Sequence, residues 1–287
     1  MTIGVATLFL AWLVAAPGAT AGATSPQCGD LITTSVVLTE DLVCLGNGLE
    51  IDPSLGASSG EVTIDLNGHT IRGSGTGTGI DAHFSTSFAS TLTISNGTIR
   101  GFQLGVALHE GEAPIDVTNL VIRDNDTGVL FTDFGGVLLA NSTIANNRGI
   151  GVDVAALDTD FEMVNDQVRD NGGTGIRAFE DSVPRLQDSF IAHNGGDGAA
   201  FESSPAIISG NTFLGNSGTG LRLTERAPGA AAGYFVAANV ANGNGNGGMS
   251  MTYTRGETSP PVPGTGNAAQ HNDVFQCVVI ICAKNRG

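Results

Sequence analysis

Gly105-Val106-Ala107-Leu108-His109 and Gly128-Val129-Leu130-Phe131-Thr132 are two of eight segments built alike. In each, a glycine leads an apolar residue, a variable one, and then another small or apolar one. The other copies start at Gly79, Gly149, Gly175, Gly198, Gly220 and Gly248, and the successive steps are 26, 23, 21, 26, 23, 22 and 28 residues. A repeat of that length implies a solenoid, in which a unit buries its apolar face only by stacking on its neighbours.

Around this column lie two others in step with it. Asn96, Asn119, Asn141, Asn165, Asp188 and Asn211 each stand three residues before an apolar residue, from Ile99 to Leu214. Alternating stretches such as Leu92-Thr93-Ile94 and Phe161-Glu162-Met163 precede them. Asn125, Asn147, Asn171, Asn194 and Asn216 fall in the turn before the glycine, where stacked amides can bond from coil to coil. Each coil reads as strand, Asn bend, short strand, Asn/Gly turn, strand. The expectation is an all-β chain: a single-stranded right-handed parallel β-helix of ~23-residue coils with N- and C-terminal caps. A leucine-rich repeat is excluded because leucine is sparse and no repeat carries a helical segment. Calcium nonapeptide repeats are excluded because Arg177 and Ala200 stand where ligand aspartates belong.

The chain of 287 residues divides accordingly. Residues 1–23 read as an export signal, apolar from Ile3 to Ala16 with A-x-A sites at Ala19-Thr20-Ala21 and Ala21-Gly22-Ala23, though no Lys or Arg precedes the apolar run. Residues 24–60 are expected as an N-terminal cap, 61–253 as the β-helix, 254–268 as an exposed Pro/Gly loop and 269–287 as a C-terminal cap. No later segment could span a bilayer. The protein is expected to be secreted or held in the cell envelope, as a monomer. A net charge of −16 excludes nucleic acid as partner and disfavours polyanionic glycans unless metal ions bridge the two. Neutral glycans, cations and metal-assisted acidic partners remain open.

Cys28 and Cys44 lie at one end, Cys277 and Cys282 at the other. About nine coils at ~4.8 Å each hold the ends roughly 40 Å apart, which forbids end-to-end disulfides. Local pairing follows. Cys28–Cys44 is the expected bond, whereas joining Cys277 to Cys282 needs a turn within Val278-Val279-Ile280-Ile281, a run that favours extension.

The stretch Val62-Thr63-Ile64-Asp65-Leu66-Asn67-Gly68-His69-Thr70-Ile71-Arg72-Gly73, after a Cys-containing lead-in, resembles the first coil of secreted β-helix proteins of the pectin-lyase-like superfamily. The repeats resemble those of NosD-type and related carbohydrate-active members. The likeness covers about residues 28–250 and implies the fold; it assigns no activity, since this fold carries lyases, hydrolases, epimerases, adhesins and inert scaffolds. The Asp-Asp, Gly-His-Gly and Arg-Ile-Lys motifs of polygalacturonases are absent. Asp81-Ala82-His83-Phe84 lacks the proline and second aspartate of the epimerase Asp-Pro-His-Asp motif.

Geometry offers candidates where motifs do not. In the Gly-led strand the second and fourth residues point outward. The fourth column reads His83, His109, Thr132 and Asp153; the second contributes Asp81, Arg177 and Arg222; Glu110 and Asp133 follow the strand. Stacking brings His83 and His109 to about 4.8 Å. His83, His109 and Asp81 are candidate ligands for a divalent ion, calcium or zinc. His83, His109, Glu110, Asp133 and Asp153 are the candidate catalytic set for polysaccharide lysis or hydrolysis, because carboxylates one or two coils apart match the ~5 to ~9 Å of glycoside chemistry. Arg72, Arg100, Arg123 and Arg169 form a partial basic stripe, expected to pair with Asp124 and Asp170.

Two functions follow: binding or processing of a polysaccharide or surface glycan on the outward Gly-strand face, or a non-catalytic envelope scaffold or adhesin-like protein using the same face. The scarcity of exposed aromatics removes the usual sugar-stacking platforms. For the thiols, non-reducing mass mapping should join Cys28 to Cys44; a bond from Cys28 to Cys277 or Cys282 would overturn the rod itself.

Overall fold

The computed structural model describes residues 25–53, 61–83, 91–155, 160–179, 183–225, 233–253 and 261–282, with the backbone alone at 110–113, 133–135, 183 and 253. Every regular element among them is a β-strand. The strands stack into three parallel sheets, one strand per sheet per coil, forming a β-helix. The sheet of Gly-led strands runs through ten successive parallel pairings, from Leu31–Ile32 to Phe275–Val278. At ~4.8 Å per step its ends lie roughly 48 Å apart.

The core follows from the alternation. Val106, Leu108, Val129, Phe131, Val152 and Val154, each first or third after the leading glycine, are fully buried. Ile94 and Val117 of the second sheet and Ile99 and Ile122 of the third meet them inside. The leading glycine is required by close approach. A Cβ at Gly151 would sit 2.6 Å from Gly175 O and 2.8 Å from the Asn171 amide nitrogen.

That contact also corrects the register of one coil. Gly151, not Gly149, occupies the glycine column; Gly149 lies in the preceding turn, its N–H donating to Asp126 O at 2.7 Å. Both glycines precede an apolar residue, and a two-residue shift preserves which side chains face inward. The pattern alone therefore could not separate them. Asp153 consequently leaves the fourth column for the second, where it opposes Leu130 and Arg177.

From the Asn96 coil onward, two corners are tight. Between the second and third strands the bend residue has positive φ: Asn96 (63°), Asn119 (55°), Asn141 (53°), Asn165 (57°), Asp188 (49°) and Gly210 (72°). Asn211 is thus one place beyond the column assigned to it, and points inward. The next corner repeats the device at Asp124, Asn146, Asp170 and His193. Asn and Asp tolerate this conformation because their short polar side chains bond locally.

After the bend residues from Asp124 and Asn141 onward, an inward polar side chain joins a ladder. Asn171 uses all four of its amide valences. Its Nδ2 donates to Ile144 O (3.1 Å) and Asn194 Oδ1 (3.0 Å). Its Oδ1 accepts from Asn147 N (3.1 Å) and Asn147 Nδ2 (2.9 Å). The expected Asn column is this ladder, and it continues through Asn244 to Asn272. A second ladder at the other corner runs Ser142, Asp166, Ser189, Asn211, Asn239, Asn267.

The rod is longer than 61–253. Gly48-Leu49-Glu50-Ile51 is a ninth Gly-led strand, paired with Thr78–His83 in register; the step of 31 residues to Gly79 hid it. Residues 31–51, expected as a cap, therefore form coil. At the other end Val262–Gln270 is a strand with Val262 and Asn267 buried, so the expected loop at 254–268 is partly coil; 254–260 lie outside the described residues. The terminal strands Phe275–Val278 and Ile280–Cys282 also pair into the rod. Residues 1–23 lie outside the described residues. Both disulfides are local. Cys28–Cys44 has Cα atoms 5.5 Å apart, and Cys277–Cys282 6.3 Å. Val279, at φ 64°, supplies the turn the second bond needs.

Two predictions concern the ladders. Asn171→Ala removes four hydrogen bonds and leaves the buried Asn147 N–H without its partner, so chemical denaturation should register a loss of about 2 kcal/mol, at ~1–3 kcal/mol per orphaned group. Asp166 is the ladder's irregular member. Its Oδ1 accepts from Ser142 N at 2.8 Å, but the buried Oδ2 has no partner. Burial pushes its carboxyl up to about 8, against the pull of backbone N–H groups. The folded state thus holds a proton that the unfolded chain releases near pH 4, and stability falls as pH rises from about 4 to about 8. Asp166→Asn should flatten that slope and raise the melting temperature more at pH 8 than at pH 4. Equal effects at both pH values would refute this account.

Candidate functional site

The third corner, between the Gly-led strand and the second sheet, changes length from coil to coil. Five residues separate His109 from Ile115, and eight separate His83 from Leu92. The outward fourth residue of each Gly-led strand stands at its edge, and there the register pairs His83 with His109 and Asp81 with Ala107.

The two imidazoles stack with centroids 4.8 Å apart and planes inclined by 13°. Both turn Nε2 toward a single oxygen: Asp81 Oδ1 lies 2.9 Å from His83 Nε2 and 3.3 Å from His109 Nε2. Although close, neither contact is aligned as a hydrogen bond, so this buried oxygen faces two nitrogens without a bond. The carboxylate side chain is 17% exposed, against 28% for His109 and 55% for His83, so the cluster opens to solvent on the His83 side.

Thr132, one coil further, orients His109. Its hydroxyl donates to Leu108 O at 3.4 Å and lies 2.9 Å from His109 Nδ1, an arrangement in which Nδ1–H donates to Thr132. In that tautomer the Nε2 lone pair faces the Asp81 oxygen, an arrangement that a cation between them makes favourable. A neutral imidazole fixed by an outer hydrogen bond is how histidine ligates metals. The three ligand atoms lie within 4.8 Å of one another, and an orphaned buried oxygen with two imidazole nitrogens fits a divalent transition ion.

Of the sequence candidates, the fold brings Asp81, His83 and His109 together. Asp153 stands about three coils, roughly 14 Å, from Asp81 in the same column. It is engaged by Arg177, which donates to Oδ1 from Nε (2.9 Å) and to Oδ2 from Nη2 (2.6 Å). That guanidinium also lies 4.7 Å over the Phe179 ring. Asp153 is therefore a paired structural carboxylate here, which removes it from the His cluster. The side chains of Glu110 and Asp133 lie outside the described residues. Thr132 was visible in the fourth column but had no role there; only its register with His109 assigns one.

The basic stripe divides. Arg123 pairs with Asp124 and Arg169 with Asp170 (2.6 Å), as expected. Arg72 and Arg100 pair with no carboxylate among the described residues. His69 is hydrogen-bonding distance, 3.2 Å, from Asp41. The Thr70 N–H chiefly, with His69, holds the Asp41 carboxyl below the usual carboxylate range.

Residues 104–260 match the family described as the right handed beta helix region, more than half of the chain. The chain belongs to the right-handed β-helix family. Among solved structures, the A-module of the mannuronan C-5 epimerase AlgE6 of Azotobacter vinelandii is similar at 15% identity and a TM-score of 0.43, over 87% of this chain and 74% of that one. No curated protein matches the chain. Family membership sets the hand of the coil and leaves the chemistry to the residues above.

His83 and His109 point away from the core, so His83→Ala/His109→Ala should keep the far-ultraviolet dichroism and shift stability by less than about 1 kcal/mol. A collapse of the melting transition would make the pair structural.

Proposed function

We propose that this protein is an exported β-helix that binds or processes a polysaccharide or surface glycan on the outward face of its Gly-led sheet, through a divalent ion held by Asp81, His83 and His109. The observation that carries the reading is the buried Asp81 Oδ1 confronting two stacked imidazole nitrogens with no aligned hydrogen bond. A bound ion would bring positive charge to the surface of a chain of net charge −16 and polarise a sugar hydroxyl or carboxylate. The residues themselves hold and orient: Thr132 fixes the His109 ring, His109 and Asp81 form the half-buried wall, and exposed His83 faces the partner. Glu110 and Asp133, which follow the same strands, are the proposed acid and base if the bound sugar is cleaved. Export accords with two disulfides, which persist in oxidising compartments, and no helix among the described residues is long and apolar enough to cross a membrane.

The scaffold reading has one observation of its own. Tyr234 is 1% exposed, and Phe102, Phe131, Phe161, Phe201 and Phe213 are buried, so few rings are left to stack on sugars. An ion-dependent site does not need them, so the scarcity of rings is compatible with the glycan reading.

The test is calorimetry with zinc and with calcium, followed by a glycan panel with and without the bound metal. The expected outcome is one zinc site of micromolar affinity or tighter, lost in His83→Ala/His109→Ala, and glycan binding that rises with metal. Wild-type protein that takes up neither metal and binds no glycan on the panel would leave the scaffold role in possession.

A further inference from the structure

Twelve basic residues serve the whole chain, and Arg72, Arg100 and Arg123 stand in register on three consecutive coils of the third sheet. Like charges placed directly opposite on adjacent strands destabilise a sheet. Elsewhere the chain avoids this by pairing: Arg148 with Asp126, Arg169 with Asp170, Arg177 with Asp153 and Arg222 with Asp197. Arg185 faces Glu162 in register. Arg72 and Arg100 face each other, and neither meets a carboxylate among the described residues within ion-pair distance.

Beside them the corner is hollow. A cavity of about 310 Å³ is lined by Arg72, Arg100 and Arg148, with Asp124 as its one carboxylate and the Gly73-Ser74-Gly75 turn as its rim. The turn is held by Gly73 N–H to Arg100 O (2.8 Å) and Gly75 N–H to Gly101 O (2.6 Å). Asp124 is itself engaged by Arg123. At Gly75, with φ of 99°, a Cβ would meet nothing within 4 Å, so the rim is left open.

We infer that this corner binds an oxoanion group, sulfate, phosphate or carboxylate, presented by a glycan or another soluble carrier, with Arg72 and Arg100 as its paired guanidinium donors. The forked N–H array of arginine matches such groups. An anion between the two side chains turns an opposed pair of like charges into a bridged one. The inference uses none of the Asp81 cluster and stands apart from the function proposed above.

The test is titration of the full chain at low salt with inorganic sulfate and inorganic phosphate, followed by nuclear magnetic resonance, and with polygalacturonate, dextran sulfate and neutral dextran by calorimetry. At least one anionic probe should bind, neutral dextran should not, and added sodium chloride should weaken the complex; which probes bind identifies the carrier. Arg72→Gln/Arg100→Gln should weaken binding at least tenfold, whereas Arg185→Gln and His83→Ala/His109→Ala should leave it unchanged. The melting temperature of the double arginine variant should hold or rise, since opposed like charges are removed. Absence of anion binding in the wild type, undiminished binding in the double variant, or a lowered melting temperature would overturn the proposal.

Discussion

From the Asn96 coil onward, two of the three corners turn on a residue with positive φ, and there the regular strand pairing is interrupted. The amide of the next residue meets that break. Asn147, Asn171, Asn194 and Asn216 bond backbone and side chain to the same groups one coil on. An amide carries two donors and two acceptor sites, and a stack of identical amides satisfies all four only at the strand spacing of ~4.8 Å. The ladder therefore locks the coils in register, and every outward column inherits its alignment from it. Asp166 marks the cost of departing from the rule: a carboxyl in this column keeps its proton at neutral pH, because the buried site offers nothing to an ionised Oδ2.

Rigidity at two corners leaves variation to the third. There the connection between strands changes length from coil to coil, and there His83 and His109 stand. Their stacking is a consequence of register, since the rings occupy equivalent places on adjacent coils and share the spacing of the backbone. The same register brings Thr132 beneath His109 and leaves the small Ala107 opposite Asp81. A carboxylate flanked by a side chain of that size has room for a second imidazole to reach it, which a bulkier residue at 107 would close.

Charge is sorted by the same stacking. Three outward aspartates acquire an arginine from the next coil: Asp126 from Arg148, Asp153 from Arg177 across in-register strands, and Asp197 from Arg222. Two places depart from it in opposite senses. Asp81 meets imidazoles instead of a guanidinium, and Arg72 with Arg100 meet each other. In a chain of net charge −16, both departures sit on the surface, one at the variable corner and one at the glycine turn opposite it in the coil.

The glycine and Asn columns by themselves determined the solenoid, the strand order within a coil, the inward and outward alternation, the Asn ladder and the adjacency of His83 and His109. Such features are periodic, and stacking converts sequence period directly into spatial contact. Features that depend on absolute register escaped. Gly149 and Gly151 have the same parity, so only the close packing of Gly151 on Gly175 O moved Asp153 to its true column. The Gly48 coil was hidden by a long connection, and the Cys277–Cys282 bond by a turn at Val279 that four β-branched residues do not announce. Side-chain direction was also beyond the sequence: that both histidines aim Nε2 at one Asp81 oxygen, that Thr132 holds one ring, and that Arg72 and Arg100 find no carboxylate among the described residues, are outcomes of packing three sheets around one core. Periodicity names the neighbours of a residue, and only tertiary contact decides which atoms of those neighbours it meets.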